Sequence, residues 1–218
     1  SFIIKVFYKE SRAYLLLFFI VLMFSIFSRP SLIPKFSPDS YGYWSISQDF
    51  TSQFSNIRPF FFPFLIRISN YISNNNWQIV LSLIQITLHS IVVLFLFRNF
   101  KVYDLSTTSS SVCSIIIGFN PSLLYYSTYF LADFTLAVLT TFSWYFFQKL
   151  NFQNKHSIKY AILTSVFSGL CIVTKPIALL MIIPIILTIF YLNRLSKTVI
   201  KISILMILVN FSFHFSWV

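Results

Sequence analysis

Residues 77–97 read WQIVLSLIQITLHSIVVLFLF, an apolar run that contains no Asp, Glu, Lys or Arg. A helix of about 20 such residues is long enough to cross the hydrocarbon core of a bilayer. The whole chain has this character, because apolar residues make up 57% of its 218 residues and charged residues only 10%. A soluble domain of this size cannot bury so much apolar surface, whereas lipid can cover it. The sequence therefore predicts an all-α fold, a polytopic transmembrane helical bundle.

Further apolar runs predict about seven transmembrane spans within one transmembrane domain, residues 1–218. The predicted spans are 13–27, 77–97, 105–119, 131–147, 160–173, 177–192 and 199–218. Residues 29–76 form the loop between the first two spans. In this loop, Pro38 at a helix start and the apolar segment 60–66 predict two juxtamembrane helices that lie at the membrane surface. The last apolar run continues to residue 218, which predicts that the sequence is a piece of a longer protein.

The distribution of basic residues predicts the orientation. Eleven Lys and Arg fall on one side of the predicted spans and five on the other, which places the N-terminus in the cytoplasm and loop 29–76 outside. The net charge of +11 is spread in twos and threes between apolar runs, so it does not form the single basic face that a nucleic acid would need. We expect an integral membrane protein of a bacterial plasma membrane, with membrane lipids and no nucleic acid as partners.

Two carboxylates on the predicted outer side are candidates for chemistry. Asp39 follows Pro38 at the start of a predicted surface helix, where it could be a general base toward an acceptor; the alternative is an acid that stabilises the first helical turn. Asp133 lies near the outer start of the fourth span. A carboxylate there needs a metal ion, a basic residue or tyrosine hydroxyls as a partner, unless it too is a first-turn acid in contact with interfacial water.

Two cations on the same side are candidates for binding an anion. Lys175 precedes Pro176 between two apolar runs, and Arg58 precedes Pro59 in the first loop. A cation beside a helix N-terminus can bind a phosphate, and a lipid phosphate is available at this depth. The alternative is that both side chains snorkel to the headgroups, as we also expect for Arg29 at the end of the first span.

Other polar residues within the spans favour structural roles. Gln85 and His89 share one helix face; they could line a pore, but an interhelical hydrogen bond fits the pair better. Cys113 and Cys171 each lie inside an apolar run, which favours packing over redox or metal chemistry.

Four motifs follow one another along the chain. The segment PDSYGY at 38–43 precedes NIRPFFFP at 56–63; NPSLLYYS at 120–127 leads to Asp133; and SGLCIVTKP at 168–176 ends in a basic–proline pair. In this order they resemble the N-terminal portion of GT-C-type integral-membrane glycosyltransferases, and most of all the protein mannosyltransferase and aminoarabinose transferase branch. The likeness covers residues 13–192. Ser40 stands where that family often has a second acid.

The resemblance implies a transferase that moves a sugar from a polyprenyl-phosphate-linked donor to an acceptor on the extracytoplasmic side, with inversion. It also suggests a divalent metal ion at Asp39 and Asp133 and no other cofactor. It implies three pairs of site residues: catalytic Asp39 and Asp133, donor-phosphate ligands Arg58 and Lys175, and acceptor- or sugar-lining Tyr41 and Tyr126.

Two other functions remain open at this point. A transporter or lipid flippase would place ionisable groups near the middle of the membrane and often has internal repeats, whereas this sequence has its acids at span ends and no repeat. An inactive remnant that serves as a membrane assembly subunit is the other possibility.

Overall fold

A computed structural model describes residues 2–29, 31–50, 59–150, 157–181, 183, 185, 187 and 197–215. These residues form helices joined by short connections, and the all-α prediction is confirmed. The α-helices are α1 (Phe2–Phe27), α2 (Pro38–Gln48), α3 (Phe61–Ile72), α4 (Trp77–Val102), α5 (Thr107–Gly118), α6 (Pro121–Ser127), α7 (Ala132–Gln148), α8 (Ser157–Ile172) and α9 (Lys197–Phe215), with a 3₁₀ helix at Pro176–Met181.

Six of the seven predicted spans overlap an α-helix in the described part of the chain. The first five and the last correspond to α1, α4, α5, α7, α8 and α9. The sixth, 177–192, begins within the 3₁₀ helix, and much of it lies outside the described residues. Within the described ranges, α4 is the one helix that is long and apolar enough to cross a membrane, and shorter apolar helices cover Arg12–Phe27, Thr107–Gly118 and Ile158–Ile172. The number of crossings therefore stays a prediction.

The chain divides into two compact units, and the prediction of one transmembrane domain stays a prediction. Unit 1 comprises Ser1–Ser37 and Ser69–Phe130, and unit 2 comprises Pro38–Ile68 and Leu131–Val218. In unit 1, α4 contacts α1, α5 and α6, and α1 also contacts α5. In unit 2, α8 contacts α7, α9 and the 3₁₀ helix.

His89 joins three helices inside unit 1. Its Nδ1 lies 2.8 Å from the hydroxyl of Ser25 on α1, and its Nε2 lies 2.7 Å from the carbonyl oxygen of Gly118 on α5. A carbonyl oxygen only accepts, so Nε2 carries the hydrogen and Nδ1 of the neutral ring accepts from Ser25. The interhelical hydrogen bond expected for this residue is confirmed. In the same helix, Gln85 donates to the carbonyl oxygen of Tyr129 at 3.3 Å.

Gly118 allows the close approach of α5 to α4. A Cβ atom at this position would collide with Cγ2 of Val93. Val93 is fully buried, and its β-branched side chain has little rotamer freedom in a helix, so it cannot move aside easily.

We expect Gly118→Ala to destabilise the protein by about 1–3 kcal/mol, the usual cost of overpacking a core. The measurement is the midpoint of thermal unfolding of the purified protein in detergent. The matched control is the double variant Gly118→Ala with Val93→Ala, in which space for the new methyl group is restored. Equal effects of Gly118→Ala with and without the Val93 change would contradict the packing argument.

Polar contacts join the helices of unit 2. Ser143 of α7 donates to the carbonyl oxygen of Thr164 in α8 at 3.3 Å, and Ser168 of α8 donates to Oδ1 of Asn210 in α9 at 2.7 Å. All four residues are buried. Small and hydroxyl-bearing residues at such positions let helix backbones approach closely, as they do in membrane helix bundles.

The loop between the first two spans contains the two predicted helices, and α2 begins at Pro38 as expected. Tyr43 and Ile46 of α2 are buried, and the Tyr43 ring meets Phe62 edge-on at 5.2 Å. An apolar helical stripe can pack against protein as well as against lipid, because both exclude water. The location of α2 and α3 at the membrane surface stays a prediction.

Candidate active site

Asp133 and Lys175 form an ion pair in unit 2. Lys175 Nζ donates to Asp133 Oδ1 at 2.5 Å, although 42 residues separate them in the chain. The Asp133 side chain is 35% exposed and the Lys175 side chain is 33% exposed. The pair is therefore held in place and is still accessible to a solute.

The start of α7 favours a carboxylate at position 133. Its N-cap residue, Leu131, has an extended backbone and no side chain that can accept from the free N–H groups of the first turn. Asp133 lies in that turn, where the positive end of the helix dipole stabilises an acid.

The chain segment before Lys175 is held by hydrogen bonds. The Lys175 N–H donates to the carbonyl oxygen of Cys171 at 2.9 Å, and the Thr174 hydroxyl donates to that of Leu170 at 2.6 Å. Pro176 has no N–H, so the α-helical pattern cannot continue beyond Lys175. The Phe61 N–H donates to the Val173 carbonyl oxygen at 3.1 Å, which attaches the start of α3 to the same turn.

Asp39 and Tyr41 lie in the first turns of α2, also in unit 2. Both side chains are exposed, whereas the intervening Ser40 is fully buried. Neither member of the Asp133–Lys175 pair forms a hydrogen bond or ion pair with Asp39. The structure thus brings together two of the four predicted charged site residues, and the predicted role of Asp39 stays a prediction.

The two remaining predicted site residues are Arg58 and Tyr126. Arg58 lies outside the described residues. Tyr126 is an exposed residue of α6 in unit 1, and its ring meets that of Tyr125 edge-on at 5.6 Å. Their predicted roles are not tested by this geometry.

Comparison with known families decides the class of this protein. A family model described as dolichyl-phosphate-mannose-protein mannosyltransferase matches residues 57–217, which is most of the chain. The chain belongs to this family. The resemblance predicted from the four motifs is confirmed, and it makes the protein a relative of membrane-integral glycosyltransferases of the GT-C type. None of the curated proteins compared with the chain matches it.

The residues matched by the mannosyltransferase family model include some of the predicted site residues but not all of them. Asp133 and Lys175 both lie within the matched residues, as do the positions of Arg58 and Tyr126. Asp39 and Tyr41 precede the match. The ion pair is therefore the part of the candidate site that combines a defined geometry with the family assignment.

The described carboxylates do not form a metal site of the usual kind. Within the residues that the structure describes, no group of three or more His, Cys, Asp or Glu side chains could together hold a metal ion. Asp133 is already neutralised by the ammonium of Lys175, and a divalent cation beside that ammonium would be repelled. The divalent ion predicted at Asp39 and Asp133 stays a prediction.

Arg29 has a structural role in this mannosyltransferase relative that the sequence did not predict. The side chain does not snorkel to the headgroups: it is 9% exposed, and Nη2 donates to the Ser127 carbonyl oxygen at 2.7 Å and to its hydroxyl at 3.1 Å. Ser127 ends α6, so the guanidinium stabilises the negative end of that helix. Burial lowers the pKa of Arg29 to about 10, which still leaves it charged at neutral pH.

A tyrosine and lysine cluster lies on the connection after α6, in unit 1. Lys35 and Tyr129 form an isolated β-bridge, and Lys35 Nζ lies 5.9 Å from the centre of the Tyr129 ring. The Tyr125 hydroxyl donates to the Tyr129 hydroxyl at 2.8 Å, and this bond raises the pKa of Tyr125. Tyr126 therefore belongs to an exposed aromatic surface that carries a cation.

Proposed function

We propose that this protein transfers a sugar from a polyprenyl-phosphate-linked donor to an acceptor on the extracytoplasmic side of the membrane, with inversion at the anomeric carbon. The observation that carries the proposal is the accessible Asp133–Lys175 ion pair within the region that matches the mannosyltransferase family. A glycosyl transfer of this kind needs a cation for the donor phosphate and a carboxylate for the acceptor, and the pair supplies one of each.

Lys175 is proposed to bind the donor phosphate. The phosphodiester of such a donor carries one negative charge, as the carboxylate of Asp133 does, and it can replace that carboxylate as the partner of the ammonium. Partial exposure of both side chains makes such an exchange possible without unfolding the turn before Pro176. Arg58, in the same family match, is proposed as a second cation for the phosphate.

The exchange would free Asp133 to orient the acceptor. Once the phosphate occupies Lys175, the carboxylate of Asp133 can accept a hydrogen bond from an O–H or N–H group of the acceptor other than the hydroxyl that reacts. The ion pair is then the resting state of the site. This order of events predicts that donor binding precedes productive acceptor binding.

Asp39 is proposed as the general base of the chemical step. It takes the proton of the acceptor hydroxyl while the acceptor oxygen forms a bond to the anomeric carbon. The bond between that carbon and the phosphate oxygen breaks, and polyprenyl phosphate leaves with the electron pair. Attack from the face opposite the leaving group inverts the centre in one displacement. Tyr41 and Tyr126 are proposed to line the acceptor or sugar.

The test is a transfer assay with the full-length protein in liposomes. A radiolabelled polyprenyl-phosphate mannose serves as donor and serine- or threonine-containing peptides as acceptors; the product's anomeric configuration is read by NMR. The proposal expects a product of inverted configuration, formed only when donor is supplied on the extracytoplasmic face. Retention of configuration would exclude the single displacement. Proton-coupled solute uptake without any transfer would favour the transporter alternative.

A further inference from the structure

Arg29 is a buried cation without an acidic partner in the part of the chain that the structure describes. Its side chain is 9% exposed, and the two hydrogen bonds that it forms with described residues both go to Ser127. A charge taken out of water without a counter-ion costs free energy, and the partial negative charge at the end of α6 offsets only part of that cost. Fold stability alone therefore gives little reason for a cation at this position.

The chain just after α1 holds the end of α6 and the residues that follow it at two points. Arg29 donates to the carbonyl oxygen and to the hydroxyl of Ser127. The Lys35 N–H donates to the Thr128 carbonyl oxygen at 2.9 Å, and the Phe130 N–H donates to the Lys35 carbonyl oxygen at 2.9 Å. A side-chain contact and a short backbone ladder therefore fix this segment of unit 1 relative to the end of α1.

The segment held in this way carries exposed tyrosines. Tyr125 is 53% exposed and Tyr126 is 41% exposed, and both directly precede Ser127 in α6. The Tyr125 hydroxyl donates to the Tyr129 hydroxyl at 2.8 Å, and the Tyr126 ring meets the Tyr125 ring edge-on. Because Tyr126 adjoins Ser127 in the chain, a shift of the Ser127 backbone would also reorient the Tyr126 side chain.

We propose that Arg29 is a positioning residue for the transfer reaction: its hydrogen bonds to Ser127 fix Tyr126 in the orientation that binds the acceptor. This inference rests on the proposed function, in which Tyr126 lines the acceptor or sugar. Arg29 acts through Tyr126 and does not touch the substrate itself. In the proposed mechanism the donor is held through its phosphate, so a displaced Tyr126 should weaken binding of the acceptor far more than binding of the donor.

The test compares the KM values for the two substrates in the full-length protein in liposomes, with polyprenyl-phosphate mannose as donor and peptides as acceptors. We expect Arg29→Met to raise the KM for the acceptor by about tenfold, the equivalent of one hydrogen bond to a charged group, and to leave the KM for the donor unchanged. Arg29→Lys keeps the charge but not the planar guanidinium, so it should restore part of the acceptor affinity.

A second variant covers the case in which Arg29→Met does not fold. Ser127→Ala removes the hydroxyl that accepts from Arg29 and leaves the carbonyl oxygen in place. It should raise the KM for the acceptor by a smaller factor than Arg29→Met and also spare the KM for the donor.

Three further measurements separate positioning from a general loss of structure. In a Tyr126→Ala background, Arg29→Met should cause no further rise in the KM for the acceptor, because a positioning residue acts only through the side chain that it positions. Arg12→Met removes an exposed arginine from within α1 and should leave both KM values unchanged. Amide hydrogen exchange over residues 124–130, which requires no activity, should be faster in Arg29→Met than in the unaltered protein.

Several outcomes would overturn the positioning role. One is an unchanged KM for the acceptor in Arg29→Met, and another is an equal rise in both KM values. Additive effects of Arg29→Met and Tyr126→Ala would show that Arg29 does not act through Tyr126, and unchanged hydrogen exchange over residues 124–130 would show that Arg29 does not hold the segment. Absence of transfer by the unaltered protein is a separate result, which would remove the proposed function and this role with it.

Discussion

Asp39→Asn in the full-length protein is expected to reduce sugar transfer by about 10²- to 10⁴-fold, the usual contribution of a general base. Asparagine has the same shape as aspartate but cannot take the acceptor proton. Asp39 is exposed in the first turn of α2, so the substitution should disturb neither folding nor membrane insertion. The measurement is the rate of transfer from polyprenyl-phosphate mannose at saturating donor and acceptor.

The chain offers a matched control for this prediction. Asp49 is another exposed carboxylate, just beyond the other end of α2 and on the same predicted side of the membrane. Asp49→Asn should therefore retain close to normal transfer. If Asp39→Asn also retains full activity while Tm is unchanged, Asp39 is only an acid of the helix start and has no part in the chemistry.

Lys175→Met is expected to lower kcat/KM for the donor by about 10- to 100-fold, since a hydrogen bond to a charged group typically contributes about 1.5–3 kcal/mol. The loss should fall mainly on the KM for the donor, because the ammonium binds its phosphate. Stability should change by less than about 1 kcal/mol, because the pair is one-third exposed and solvent screens it. Steady-state kinetics and thermal unfolding measure the two effects.

A second variant, Asp133→Asn, distinguishes an ion pair that serves the reaction from one that only stabilises the fold. Asp133→Asn leaves the Lys175 ammonium free for the phosphate, so it should spare the donor KM and reduce kcat or raise the acceptor KM. Lys175→Arg should restore part of the donor affinity because it keeps the charge. If Lys175→Met and Asp133→Asn instead cause the same loss of Tm and the same loss of both KM values, the ion pair serves only to attach α7 to the turn after α8.

Much of the helical architecture was predictable because it depends on local properties of the chain. The run at 77–97 forms α4, since an apolar segment in lipid must satisfy its backbone groups internally. Pro38 starts α2 at the expected residue because proline suits the first helical position. The tight turn before Lys175 likewise follows from Pro176, which blocks a continuing helix.

The partners of buried polar groups were not predictable in this way. His89 bonds to Ser25 and Gly118, which lie 64 and 29 residues away, and Arg29 bonds to Ser127, 98 residues away. Arg29 was expected to reach the headgroups, because a lone cation at a span end usually does so. The end of α6 instead provides carbonyl acceptors close to Arg29. The sequence at residues 29–30 gives no sign of these acceptors.

The amino-acid order alone was sufficient for the helical class, the starts of several helices and the family resemblance, because apolar runs, prolines and motifs act over a few residues. Tertiary packing alone decided that Asp133 meets Lys175, that Tyr43 and Ile46 face protein, and that α5 approaches α4 at Gly118. Such contacts depend on which helices adjoin and in what register, and these are properties of the whole chain.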